Sequence, residues 1–160
     1  VQRHSCQTGH VVTNDKLSKY LGVATAVSKF SKDQSTQVGA VVIGPTGEGG
    51  PWGYNGAPRG CGADEGGDVR WERPEKYFWT AHAELNAIAN AARVGFPLVG
   101  TTLVVTHFPC MDCAKAIVQA GIVKVIVPHP TPEFLERWAE HVGRSQALFA
   151  ECGVEVEYVS

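Results

Sequence analysis

Residues 101–127 read TTLVVTHFPCMDCAKAIVQAGIVKVIV, and this stretch decides the fold. Residues 101–106, rich in Thr and Val, predict a buried strand, and residues 123–127 predict a second. Between them residues 110–120 predict a helix. A strand, a helix and a strand in so short a span read as one repeat of an alternating α/β pattern with parallel strands.

Outward from this segment the alternation continues. Pro132 opens a helix reaching residue 150, and residues 154–159 predict a closing strand. On the amino side, residues 82–93 form an Ala-rich helix. Residues 37–43 form a β-branched strand followed by the turn Gly44-Pro45-Thr46-Gly47, and residues 50–54 a short strand completing a hairpin. Leu17, Tyr20, Leu21, Ala24, Val27 and Phe30 recur at helical spacing behind an N-cap offered by Thr13-Asn14-Asp15. Residues 55–80, rich in Gly, charge and Trp and without a period, predict a long loop, and such loops are usually functional or disordered. The expectation is one α/β domain over residues 1–160, with residues 1–12 as a polar tail, five strands and about four helices.

Composition narrows the function. A content of 44% hydrophobic and 19% charged residues is that of an ordinary globular chain. The net charge of −2, without clustered Lys and Arg, supplies no field for nucleic acid or an anionic membrane. The longest apolar runs fall far short of the roughly 20 residues that cross a bilayer, and residues 1–6 show no leader pattern. Cysteines at 6, 61, 110, 113 and 152 are odd in number, and two sit three apart. That spacing suits a metal in a reducing cytoplasm better than a disulfide framework.

Two segments carry the chemistry. His82-Ala83-Glu84 opens one helix and Pro109-Cys110-Met111-Asp112-Cys113 opens another. Cysteines at i and i+3 share a helix face, and a helix amino terminus favours thiolate. His82, Cys110 and Cys113 make three zinc ligands, leaving a fourth tetrahedral position for water, which marks a catalytic ion rather than a structural one. Glu84 is spaced to move protons without binding the metal. A His-x-Glu followed by Pro-Cys-x-x-Cys is the signature of zinc nucleobase deaminases.

With these residues stand Ser35-Thr36-Gln37-Val38-Gly39-Ala40-Val41, Gly53-Tyr54-Asn55-Gly56-Ala57-Pro58-Arg59-Gly60 and Thr106-His107-Phe108. On them the chain resembles the deoxycytidylate (dCMP) deaminase family of the cytidine deaminase superfamily over roughly residues 14–128. The resemblance implies a three-layer α-β-α fold around a five-stranded mixed sheet. It also implies one catalytic Zn2+ and hydrolysis of dCMP to dUMP and ammonia for thymidylate synthesis. The substrate is then a small deoxynucleotide, the assembly a homo-oligomer, and dCTP and dTTP are candidate effectors, with residues 60–68 as a candidate site for them.

Carried over, Glu84 is the proton shuttle, the Ala83 N–H a donor to pyrimidine O2, and Asn55 a sugar contact. Arg59 is the first candidate for the 5′-phosphate, with Ser35 and Thr36 as hydroxyl donors. Phe108 lines the base pocket, and Tyr77 and Trp79 join it from the loop. Each of these has a plain structural alternative: an αL turn for Asn55, a solvated loop for Arg59, an ST-turn for Ser35 and Thr36, core packing for Phe108.

A second, structural zinc is not expected, because the segment before His82 holds Cys61 but no His, and His4, Cys6 or His10 would have to complete it. His129 reads as a loop residue flanked by prolines, His141 as solvated on the exposed face of the last helix, residues 70–73 as a solvated loop face, and Cys152 as a small buried residue. Two rival functions stay open. One is a zinc deaminase of another amino-heterocycle: a free base, a nucleoside, a modified dCMP or a tRNA base. The other is a non-catalytic zinc-binding interaction module.

Overall fold

The structure, a computed structural model, describes residues 14–64 and 68–159. Helix α1 (Asn14–Ser28) leads into the antiparallel strands β1 (Gly39–Ile43) and β2 (Gly49–Tyr54). After the long loop come α2 (Lys76–Trp79), α3 (Ala83–Val94), β3 (Thr102–Val105) and α4 (Met111–Gln119). Strand β4 (Lys124–Pro128), α5 (Pro132–Cys152) and β5 (Glu155–Val159) complete the chain. The sheet order is β2-β1-β3-β4-β5. β1 runs antiparallel to both neighbours, while β3, β4 and β5 are parallel. The sheet is therefore mixed and five-stranded, and parallel on its carboxyl side, as the alternating pattern requires.

Period-2 alternation sorts the strand residues into two cores. Val41, Ile43, Val104 and Ile126 meet Leu17, Ala24 and Val27 of α1 on one face. Ala40, Val42, Leu103, Val105, Val125 and Val127 meet Ala83, Ala87, Ala114, Ile117 and Phe149 on the other. The result is three layers, with α1 alone on one side and α3, α4 and α5 on the other. Each fully buried branched side chain, such as Leu103 or Ile117, contributes about 1.5–3 kcal/mol by leaving water. The Ala-rich sequence of α3 serves this packing, because Ala83, Ala87 and Ala91 are all fully buried and let the helix lie close on the sheet.

Local chemistry sets the helix ends. Thr131 Oγ1 accepts from the Phe134 N–H at 3.2 Å, and Pro132 takes the first turn of α5. Gly153, at φ 73°, stops that helix in the left-handed region.

Several expectations change. The stretch 55–80 is not uniformly irregular: it contains α2 and two single 3-10 turns, Gly62–Asp64 and Val69–Trp71. Its ends are tied by an antiparallel bridge, Gly56 N–H to Ala81 O at 3.0 Å and Ala81 N–H to Gly56 O at 2.9 Å. A loop whose ends meet can be long in a small domain. Cys152 is exposed rather than buried, because it is the last residue of α5 and the helix stops there at Gly153. The polar tail, the Thr13 cap, and His4, Cys6 and His10 lie outside the described residues, as does part of the candidate effector segment.

Candidate active site

Both chemical motifs sit at helix starts for the same local reason. His82 (ψ 156°) and Cys110 (ψ 169°) are extended N-caps, so α3 and α4 each begin where the chain turns out of extended backbone. The two amino termini meet beyond the carboxyl end of β3, the middle strand of the sheet. There the His82 Nδ1 lies 3.4 Å from Cys110 Sγ and 3.4 Å from Cys113 Sγ.

These three atoms fit a zinc ion. A tetrahedral zinc bonds sulfur at about 2.3 Å and nitrogen at about 2.0–2.1 Å, which sets those ligands about 3.5 Å apart. Among the described residues, His82, Cys110 and Cys113 form the single His/Cys/Asp/Glu group whose donor atoms converge in this way. The sulfurs are also chemically prepared. The Cys113 thiol donates to Cys110, and His82 lies beside it, so the Cys110 thiol is pulled down to about 4. Cys113 is pushed up by that same donation and by burial. A divalent cation binds the deprotonated sulfurs, so a thiol already held down, as that of Cys110 is, makes a prepared ligand.

Glu84 is 4% exposed and lies in the first turn of α3, two residues after the ligand His82. Burial pushes its carboxyl up, against the opposing pull of His82. A carboxyl raised in this way is better suited to carrying a proton than an ordinary exposed one. Ala83 is the first residue of α3, where a helix leaves its N–H without an intrahelical acceptor.

One cavity opens over these groups. His82, Ala83, Glu84, Phe108 and Cys110 line it together with Thr36 and Asn55. Phe108 is buried and stacks on Tyr158 with ring centroids 6.3 Å apart, so its ring is fixed. The Asn55 amide is already committed: its Oδ1 accepts from the Val38 N–H at 2.7 Å and its Nδ2 donates to the Thr36 carbonyl at 2.9 Å. That fixes the side chain and leaves it one further N–H and one lone pair.

Other candidates are not brought to the cavity. Arg59 is exposed, outside the lining, and donates to Asn90 Oδ1 at 2.8 Å. Ser35 is exposed and spends its hydroxyl on Asp33 and Lys76. Trp79 donates to Glu75 and lies against the Arg70 guanidinium, while Tyr77 does line the cavity.

The structure also adds residues that the sequence leaves bland. His141 is not solvated: its Nδ1 accepts from the Met111 N–H at 3.3 Å and its ring lies edge-on to Trp138, at the cavity wall. Arg73 and Arg137 line the same cavity. The recurrence of 134, 137, 138, 141 and 142 on one face of α5 was the available signal, but nothing in the sequence says which way that face turns. Among the described residues no helix is long and apolar enough to cross a membrane.

Comparison with known proteins places this arrangement. Residues 14–129 match a family model described as the cytidine and deoxycytidylate deaminase zinc-binding region. The chain is 43% identical over 141 residues to an uncharacterised deaminase in the luxG 3′ region of Aliivibrio fischeri, covering 88% of this chain and 91% of that one. It is 39% identical over 113 residues to deoxycytidylate deaminase of Homo sapiens, covering 67% of this chain and 61% of the human one, so it spans about three fifths of that relative. The crystal structure of a dCMP deaminase from the cyanophage S-TIM5, in complex with dCMP and dUMP, superposes with a TM-score of 0.74 at 28% identity, covering 92% of this chain and 98% of that one.

Proposed function

The chain belongs to the cytidine and deoxycytidylate deaminase family, and from that premise we propose that it hydrolyses dCMP to dUMP and ammonia, supplying dUMP for thymidylate synthesis. The observation carrying this reading is a buried carboxyl, Glu84, in the same cavity wall as the converging His82 and Cys110.

Zinc held by His82, Cys110 and Cys113 supplies a Lewis acid that makes water a nucleophile at neutral pH. The residues of the chain do the rest. In the overall change a C4–O bond forms and the C4–N bond breaks. Of the two water protons, one ends on N3 and the other on the departing amine. Glu84 takes a proton from water, passes one to N3, and delivers one to the leaving nitrogen, alternating between base and acid. The Ala83 N–H donates to pyrimidine O2. Phe108 walls the base from solvent, and Asn55, held by its two backbone bonds, presents its remaining N–H to the sugar. From the family resemblance alone, the reading extends to a homo-oligomer in the cytoplasm, responsive to dCTP and dTTP.

The test is ammonia release from dCMP, deoxycytidine and cytosine by the zinc-loaded protein. The reading requires dCMP to be the best substrate, with stoichiometric dUMP. Faster turnover of another amino-heterocycle would reassign the substrate. A tightly held metal with no turnover of any of them would make the chain a binding module.

A further inference from the structure

We propose that Arg73 and Arg137 form the site that reads the 5′-phosphate of the substrate, an inference that rests on the nucleotide reading above. A phosphate dianion in a protein of net charge −2 needs local cations with free donors. The cavity wall holds three such side chains: Arg73, Lys76 and Arg137. Lys76 is already spent. It is buried, its Nζ sits 2.8 Å from Asp33 Oδ2, and it donates to Ser35 Oγ at 2.6 Å.

Arg73 and Arg137 are different. Both are exposed, so they stand at the open side of a cavity whose inner wall is the buried Ala83 and Glu84. Among the described residues neither takes a carboxylate partner, whereas Arg70 pairs with Asp68 and Arg144 with Glu140. They also come from separate elements, the loop ahead of α2 and the inner face of α5.

In a nucleotide the phosphate lies at the far end of the sugar from the amino group that reacts. A cavity with its acid and metal ligands inside and two unpaired guanidiniums outside matches that polarity. The two histidines of that wall outside the metal site each have Nδ1 engaged: that of His107 with Thr106 Oγ1 at 3.1 Å, and that of His141 with the Met111 N–H.

The test compares the affinity of zinc-loaded protein for dUMP and for deoxyuridine by titration calorimetry. Wild type should bind dUMP far more tightly. Arg73→Gln and Arg137→Gln should each cut that preference about tenfold, and the double variant should nearly abolish it. Arg73→Lys should keep part of it, and Arg144→Gln, which is paired with Glu140 and lies outside the cavity lining, should keep all of it. Equal affinity of wild type for the two ligands, an unchanged preference in the double variant, or a parallel loss for both ligands would each overturn the assignment. If the preference collapses as expected in a protein that releases no ammonia from dCMP, the phosphate site stands and the deaminase reading alone fails.

Discussion

Lys76 Nζ lies 2.8 Å from Asp33 Oδ2 with both side chains nearly out of water, tying α2 to the turn ahead of β1. Asp33 also accepts from the N–H groups of Ser35 at 2.8 Å and Thr36 at 3.2 Å, which holds Thr36 in the cavity wall. Removing one partner of a buried pair costs more than removing both, because the other charge is stranded. Lys76→Met should therefore lose about 3–5 kcal/mol of unfolding free energy in urea. The double variant Asp33→Asn with Lys76→Met should recover a substantial part of it. Additive losses would mean the pair is not coupled.

The same pair sets an acid limb of stability. Burial opposes charge on Asp33, yet Lys76 and the Ser35 and Thr36 donors outweigh it and hold the carboxyl below the usual range. A group depressed in the folded state contributes fully above its unfolded value of about 3.9 and loses that contribution as pH falls through its folded value. The stability gap between wild type and Asp33→Asn should thus be constant near neutrality and shrink below about pH 4. Urea melts at pH 7 and pH 3 measure it, and a gap that widens in acid would refute the sign.

Glu84→Gln keeps the size and the burial of the side chain and removes its ability to exchange a proton. The variant should bind stoichiometric zinc and lose about 10²–10⁴ in kcat. Metal analysis and ammonia release on the same sample decide it. Retained turnover would strip Glu84 of its role, and lost zinc would make it part of the metal site.

The parts of this architecture set by short-range patterns were readable in advance. Strand alternation through Val41, Val104 and Ile126, the spacing of Cys110 and Cys113, and the helix starts at His82 and Pro132 are all local chemistry. The substrate end of the cavity was not readable, because it is assembled from distant segments. Arg73 and Arg59 look alike in sequence, two charges in one Gly-rich loop. Only the Gly56–Ala81 bridge and the Asp33–Lys76 pair decide that the first returns to the cavity, while the second falls beside Asn90. His141 lay on a helix whose inner face could be identified only once α5 was seen to pack on α4.

Gly53 shows how closely the metal-bearing helix is seated. A Cβ there would lie 2.4 Å from the Ala87 N and 2.5 Å from the Ala83 O, both backbone atoms of α3. Gly53→Ala must displace the helix that carries His82 and Glu84, and should cost about 1–3 kcal/mol or more together with a measurable loss of zinc affinity. Gly143, inside α5, is the contrast, since a Cβ added there would meet nothing within 4 Å. Gly143→Ala should gain about 0.4–1 kcal/mol with zinc affinity unchanged. Equal effects at the two positions would contradict the close seating of α3.

Zinc is expected to bind the folded chain far better than the unfolded one, because the three donors converge only when α3 and α4 meet. Such binding raises stability by mass action, about 4 kcal/mol at a free concentration a thousandfold above Kd. For a chain of this size that is a rise in Tm of roughly 10 °C, which a chelator should reverse. Cys110→Ser removes one ligand and should erase most of the zinc-dependent rise. Cys152→Ser changes a thiol that is exposed at the end of α5 and remote from the donors, and should leave the rise intact. Melting curves with zinc and with chelator for the three proteins separate the outcomes: a wild-type Tm indifferent to both would show that these donors hold no ion, and equal losses in the two serine variants would show that the effect belongs to thiols in general rather than to this site.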